Sequence, residues 1–148
     1  MSYTAAKQRP NYIFDASLEL TDDGLVAADA AGQVDTVDKI VSVGTGLFKG
    51  VAVIDVTAIE IASNDEVYKI SIQGSTSSTF ASVIVDLAEL TLGALEVIGG
   101  DQDSTTGRYE LPFTNRQNNT YYPYIRVYTD VSGTIATGIN FNAFVSKL

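Results

Sequence analysis

From Ile135 to Val145 the odd positions read Ile135, Thr137, Ile139, Phe141, Ala143 and Val145, while the even positions include Ala136, Gly138, Asn140 and Asn142. A period of two has a simple physical meaning. Successive side chains of a strand point to opposite faces, so such a segment buries one face and wets the other. It predicts a half-buried antiparallel strand with Ile135, Ile139, Phe141 and Val145 toward the core. Val67 to Gln73 repeats the pattern, with Tyr68, Ile70 and Ile72 set against Lys69, Ser71 and Gln73. No segment shows a helical period of comparable clarity. A chain with several such faces buries them by stacking sheet on sheet. The expected fold is therefore all-β, an antiparallel β-sandwich that is jelly-roll-like.

Turn chemistry supplies the rest of the map. Met1 to Asn11 reads as an extended arm, because Pro10 cannot donate to a ladder and steers Arg9 away from helix. Residues 12–148 read as a single β-sandwich domain, a length for which one core suffices. Tyr12 to Leu20 is the first expected strand, closed by Thr21-Asp22-Asp23-Gly24. Leu25 to Gly46 reads as loop, with short strands near Gln33–Val37 and Lys39–Val43. Phe48 to Ile61 is rich in β-branched residues, and its alternation changes phase at Asp55–Ala58, the mark of a bulge or corner. It is expected to form a hairpin with Val67–Gln73 across Ser63-Asn64-Asp65-Glu66. Gly74 to Thr79 reads as a Ser/Thr loop. Phe80 to Leu92 is read as a strand, although Ala88-Glu89-Leu90 also suits a helix. A long loop is expected around Gly99-Gly100-Asp101 and Ser104–Gly107, then a short strand at Arg108–Phe113 and polar loop from Thr114 to Thr120. Tyr121–Val131 and Thr134–Lys147 are expected to pair as a second hairpin across Ser132-Gly133.

Composition closes off several chemistries. The 148 residues include no Cys and no His. Without thiols there is no disulfide framework and no thiolate metal site. Without imidazole every Ser-His and Cys-His mechanism is excluded. Nine basic residues face eighteen acidic ones, for a net charge of −9. That balance repels phosphate, so neither nucleic acid nor an anionic membrane is an expected partner. No apolar run nears bilayer length, and Met1–Tyr12 lacks the apolar centre of a secretory signal, so synthesis in the cytoplasm is expected. Between Asn11 and Asp38 stand seven acids, Asp15, Glu19, Asp22, Asp23, Asp29, Asp35 and Asp38, without a base among them. Lys7 and Arg9 precede them. A solvated face accounts for this run, and so does contact with a basic groove on a partner.

Candidate sites are few. Asp101-Gln102-Asp103-Ser104 places two carboxylates on alternate positions, which hard cations favour, but it lacks the Gly and distal Glu of a helix–loop–helix calcium site. Glu60, Asp65, Asp86, Glu89 and Glu110 supply carboxyl groups for hydrolysis, yet no spacing selects a pair. No GxGxxG, P-loop or nucleophile elbow is present, so no cofactor and no enzymatic activity are expected. The most distinctive cluster is aromatic. In an alternating strand Tyr122, Tyr124, Arg126 and Tyr128 share one face, opposite Ile125 and Val127. Tyr and Arg are favoured at protein interfaces. The same rings also suit simple cover for a sheet, or stacking on sugars beside Asn118 or Asn119. The expected interface residues are thus Tyr122, Tyr124, Arg126 and Tyr128, with Lys7 and Arg9 of the arm.

The run Thr106-Gly107-Arg108-Tyr109-Glu110-Leu111-Pro112-Phe113-Thr114-Asn115, then Tyr124-Ile125-Arg126-Val127-Tyr128 and Val131-Ser132-Gly133-Thr134, resembles the jelly-roll capsid cement (decoration) proteins of tailed bacteriophages. The resemblance spans roughly Phe48 to Leu148. It implies a non-catalytic protein of the virion, bound to the outside of an assembled capsid. Such a protein forms a dimer or trimer and bridges major capsid subunits. The competing reading is a carbohydrate-binding or receptor-binding β-sandwich.

Overall fold

The computed structural model describes residues 12–97 and 100–148. The expected arm Met1–Asn11, with Lys7 and Arg9, lies outside the described residues. A 3₁₀ turn, Ala16–Leu18, leads into β1 (Glu19–Thr21). Asp15 starts that turn. Its carboxylate accepts the Ser17 N–H at 2.9 Å and the Ser17 hydroxyl at 2.7 Å, a local bond that competes with ladder pairing. The strand expected over Tyr12–Leu20 is thereby cut to its last residues. Short strands follow: β2 (Leu25–Val26), β3 (Ala30–Ala31), β4 (Gln33–Val34), β5 (Val37–Asp38) and β6 (Val41–Ser42). The long ones are β7 (Lys49–Ile59), β8 (Val67–Ser75) and β9 (Ile84–Val97). Then come β10 (Gly100–Asp103), β11 (Gly107–Thr114), the ribbon β12 (Arg116–Gln117) and β13 (Thr120–Tyr121), β14 (Tyr124–Ser132) and β15 (Ile139–Lys147).

The strands build an antiparallel sandwich of two sheets, with small ribbons β4–β5 and β12–β13 beside it. Sheet I runs β1-β15-β7-β11, and β2 pairs with β15 as well. Sheet II runs β10-β9-β8-β14-β3, and β6 also pairs with β14. The pairings nest: β8 with β9, outside them β7 with β11, then β3 with β14, then β1 with β15. The chain pairs like one long ribbon folded back on itself.

Alternation decides which residues meet between the sheets. Ile54 and Val56 of β7, Ile70 and Ile72 of β8, Ile125 and Val127 of β14, and Ile139, Phe141 and Val145 of β15 are all buried in one core cluster. The face assignment of β15 is as its sequence predicts, although Ile135 and Thr137 precede the strand. The phase change expected at Asp55–Ala58 is a bulge: Asn140 pairs with Ala58 and Phe141 with Val56, leaving Thr57 over. The segment with two readings near Ala88 is strand.

Three expectations are corrected. Neither β7 and β8 nor β14 and β15 form a hairpin. In each case the chain crosses from one sheet to the other, through residues 60–66 and 133–138. Tight two-residue turns keep strands in one sheet, whereas connections of this length can step across the roughly 10 Å between stacked sheets. Period-two alternation is the same in both cases, so it cannot tell them apart. The long loop expected near Gly99–Gly107 is mostly ladder: β9 runs on to Val97 and β10 returns beside it, Gly100 opposite Val97. Finally, Thr114–Thr120 is not plain loop. Asn118 and Asn119 hold φ of 51° and 64°, the paired left-handed residues that suit a two-residue hairpin, and they close β12 onto β13.

These connections give the sandwich two ends. At the base lie the crossovers 60–66 and 133–138, flanked by residues 22–29. At the tip lie residues 43–48, 76–83 and 115–123 and the end of β15.

Candidate interaction surface

On β14 the alternation holds from Tyr124 onward. Ile125, Val127 and Thr129 are buried, while Tyr124, Arg126 and Tyr128 are half-buried on the outer face of sheet II. Tyr122 does not join them. Pro123 interrupts the strand, and Tyr122 is only 5% exposed. Its N–H donates to the Asn115 carbonyl at 2.8 Å. The expected surface therefore shrinks to Tyr124, Arg126 and Tyr128.

Arg126 is held on three sides. Its guanidinium carbon stands 4.4 Å from the centre of the Phe80 ring and 5.1 Å from that of Tyr128. Its Nε donates to Gln73 Oε1 at 2.9 Å. Burial pulls its pKa below the usual arginine value, with Tyr128 and Asp38 opposing; the group stays cationic at neutral pH. Phe80 is the partner that sequence reading missed. It is buried with φ of 55°, a conformation uncommon for a bulky residue. The turn that carries it is built by Ser77, whose hydroxyl accepts the N–H groups of Thr79 and Ala81. The dense Ser/Thr spacing was the available signal for that turn, and nothing local marks Phe80 as the cover of Arg126.

The same face carries Lys69, within 3.6 Å of Glu89 and Asp130 and 3.9 Å of Asp86. Glu89 foremost, then the other carboxylates, raises its pKa. The cluster is part exposed, so it fixes the chemistry of the face more than its stability. Ser71, opposite Tyr128 and Glu89 in the ladders, is fully buried, and its hydroxyl has no partner among the described residues.

The carboxylates considered for hydrolysis are spread over separate tasks. Glu60 Oε1 accepts the N–H groups of Ala136, Thr137 and Gly138 at 2.8–3.0 Å. Those bonds, Gly138 first, hold its pKa below the usual carboxylate range. Asp65 accepts the N–H and hydroxyl of Thr134 and is likewise lowered, by the Thr134 N–H foremost. Glu66, fully buried, accepts from Ser63 and Asp65 N–H within its own crossover. Glu110 accepts from the Tyr12 hydroxyl at 2.9 Å. Asp86 and Glu89 serve Lys69. Ser104, at the end of the acidic stretch considered for calcium, is tied to Gly93 by two bonds. Among the described residues no group of three His, Cys, Asp or Glu stands together as a metal site.

The tip is stitched by neutral groups. Asn115 is fully buried. Its Oδ1 accepts Phe48 N–H at 2.8 Å, and its Nδ2 donates to Gly46 and Tyr122 carbonyls at 2.9 and 3.1 Å. It ties the 43–48 segment to the 115–123 segment. Arg116 lies 5.7 Å from the Tyr121 ring centre. Leu47, Val83 and Tyr121 remain exposed there.

No protein-family model matches the chain, and a search of curated proteins finds no match.

Proposed function

We propose that this chain is a structural virion protein, a cement that binds the outside of a tailed-phage capsid as a small homo-oligomer and bridges major capsid subunits. The observation that carries the reading is the outer face of sheet II. Tyr124, Arg126 and Tyr128 stand in one row on a long strand, with Arg126 held by Phe80 and Gln73. Side chains fixed before contact lose little entropy on binding, which is what a protein interface rewards. The nested strand pairing supports the family resemblance, because a jelly roll requires pairing of that kind. Two segments of the resemblance fall on strands, Tyr109–Phe113 in β11 and Tyr124–Tyr128 in β14. The third, Val131–Thr134, leads into the crossover whose Thr134 meets Asp65.

The sugar-binding alternative needs Tyr122, Tyr124 and Tyr128 in one groove, and the burial of Tyr122 weakens it. The test is co-sedimentation of the purified chain with capsids assembled from the major capsid protein of its phage. Binding is expected. Tyr124→Ala with Arg126→Ala is expected to weaken it about thirtyfold while circular dichroism stays native. Absence of co-sedimentation, together with specific glycan binding by the monomer, would overturn the proposal in favour of the alternative.

A further inference from the structure

The long axis of the sandwich is electrically polarised. The tip segments 43–48, 76–83 and 115–123 contain no Asp or Glu, while Arg116 lies within them and Lys49 and Lys147 flank them on β7 and β15. The segments at the base, 22–29 and 60–66, carry Asp22, Asp23, Asp29, Glu60, Asp65 and Glu66 with no Lys or Arg, and 133–138 carries no charge. The nearest cations on that side are already engaged, Arg108 with Asp55 at 2.7 Å and Lys69 with its three carboxylates.

Both poles also present apolar surface. At the tip it is Leu47, Val83 and Tyr121. Beside the base, residues 21–33 line a groove of about 480 Å³ whose walls combine Leu25, Val26, Ala28 and Ala31 with Asp22, Asp23 and Asp29. Asp23 and Asp29 are exposed, and Leu25 is 59% exposed.

We infer that the occupant of this groove is the tip of a second copy of the chain. Two copies of net charge −9 repel each other on average. Tip against tip brings cations together, and base against base brings carboxylates together. Tip against groove alone matches apolar area with apolar area and Lys49, Arg116 and Lys147 with the aspartates. The contact is heterologous, so it leaves a free tip and a free groove at every step and builds a ring or an open chain. The inference rests on the homo-oligomer part of the proposed function and not on the capsid part. Self-association by a protein that ignores capsids would support the one and sink the other.

Sedimentation velocity on the full chain tests it. The average mass of the wild type should rise with concentration and fall as salt is added. Lys49→Glu with Arg116→Glu should be monomeric, with a normal groove. Asp23→Lys with Leu25→Arg should be monomeric, with a normal tip. Mixed, the two variants pair the unchanged tip of one with the unchanged groove of the other, and the reversed charges of the altered tip and the altered groove match as well, so association should return. Circular dichroism confirms that each is folded. Asp23→Lys alone, an exposed single change, serves if the double groove variant is not. A wild type that is monomeric throughout, a folded tip variant that associates as before, or folded variants that do not combine would each overturn the inference. Loss of capsid binding by the tip variant, in a wild type that never self-associates, would assign the tip to the shell and also overturn it.

Discussion

The two ends of the sandwich solve one problem with opposite chemistry. Each must bind loops from different sheets to each other. The base uses ions: Glu60 gathers three consecutive N–H groups of the 133–138 crossover, and Asp65 takes the N–H and hydroxyl of Thr134. The tip uses neutral groups and a cation over rings: Asn115 joins two segments, and Arg126 pins Phe80. A carboxylate is the stronger acceptor but works only while ionised. An amide is indifferent to pH and costs more when lost, because it leaves several buried partners unmatched. The difference makes the base the titratable end and the tip the brittle one.

The largest effect is expected at the tip. Asn115→Leu keeps the size but strands the Phe48 N–H and the carbonyls of Gly46 and Tyr122, and should cost about 3 kcal/mol in chemical denaturation. If the loss is negligible, water replaces the amide and the tip is not brittle. Next comes the base. Gly138 has φ of 89°, and a Cβ there would lie 2.0 Å from the Val26 carbonyl oxygen. Gly138→Ala should cost about 2 kcal/mol from the left-handed backbone and the crowding. An unchanged midpoint would mean that the crossover can shift without loss. Arg126→Leu should cost about 1 kcal/mol, since the cation's attraction to the rings goes while much of its packing stays. Measured by hydrogen exchange, the loosening should concentrate in residues 76–83.

The smallest effect at neutral pH is the most diagnostic. Glu60 and Asp65 have folded pKa values below their unfolded ones. Their contribution is therefore complete above the unfolded values of about 4.3 and 3.9, and is lost as pH falls through the folded ones. Glu60→Gln with Asp65→Asn should flatten the fall in stability on the acid side relative to wild type. The Asn115→Leu variant should keep the wild-type acid slope from a lower plateau. Equal slopes in wild type and the carboxylate variant would show that the clasp at the base is not electrostatic.

What the sequence discloses is parity, and what it withholds is partnership. Alternation placed Phe141, Ile139 and Val145 in the core and set Tyr124, Arg126 and Tyr128 opposite Ile125 and Val127, because the side chain of a strand residue has only two directions to choose from. The same logic carried through Pro123 assigned Tyr122 wrongly, since the ring at Pro123 ends the ladder before Tyr122 can keep the phase. Parity does not say which strand lies alongside. Ser63–Glu66 and Ser132-Gly133 read as hairpin turns, yet the chain passes between sheets there, through residues 60–66 and 133–138, and the mark of that passage is Glu60 and Asp65 meeting a loop some 70 residues away. The cover of Arg126 by Phe80 was invisible for a similar reason: it depends on how one loop folds over a sheet made by others. Asn115 closes the run Thr106–Asn115, yet nothing in that run shows its three side-chain bonds, which the fold alone creates.

The position of β15 has a consequence for how the molecule comes into being. It lies between β1 and β7, so the middle of sheet I is supplied by residues 139–147. A ribosome that has made everything up to β14 holds a chain whose sheet I still lacks its middle. The flank of β7 that will meet β15 then offers unpaired N–H and C=O groups, and the core cluster that holds Leu20 and Ile54 still lacks Phe141 and Val145. Such an edge pairs readily with any strand nearby, including that of another nascent copy. Closure waits for the longest-range strand pairing among the described residues, Glu19 with Phe144, and pairings so distant form slowly. Synthesis that stalls before β15 should therefore yield aggregates, whereas chains that include β15 can close sheet I.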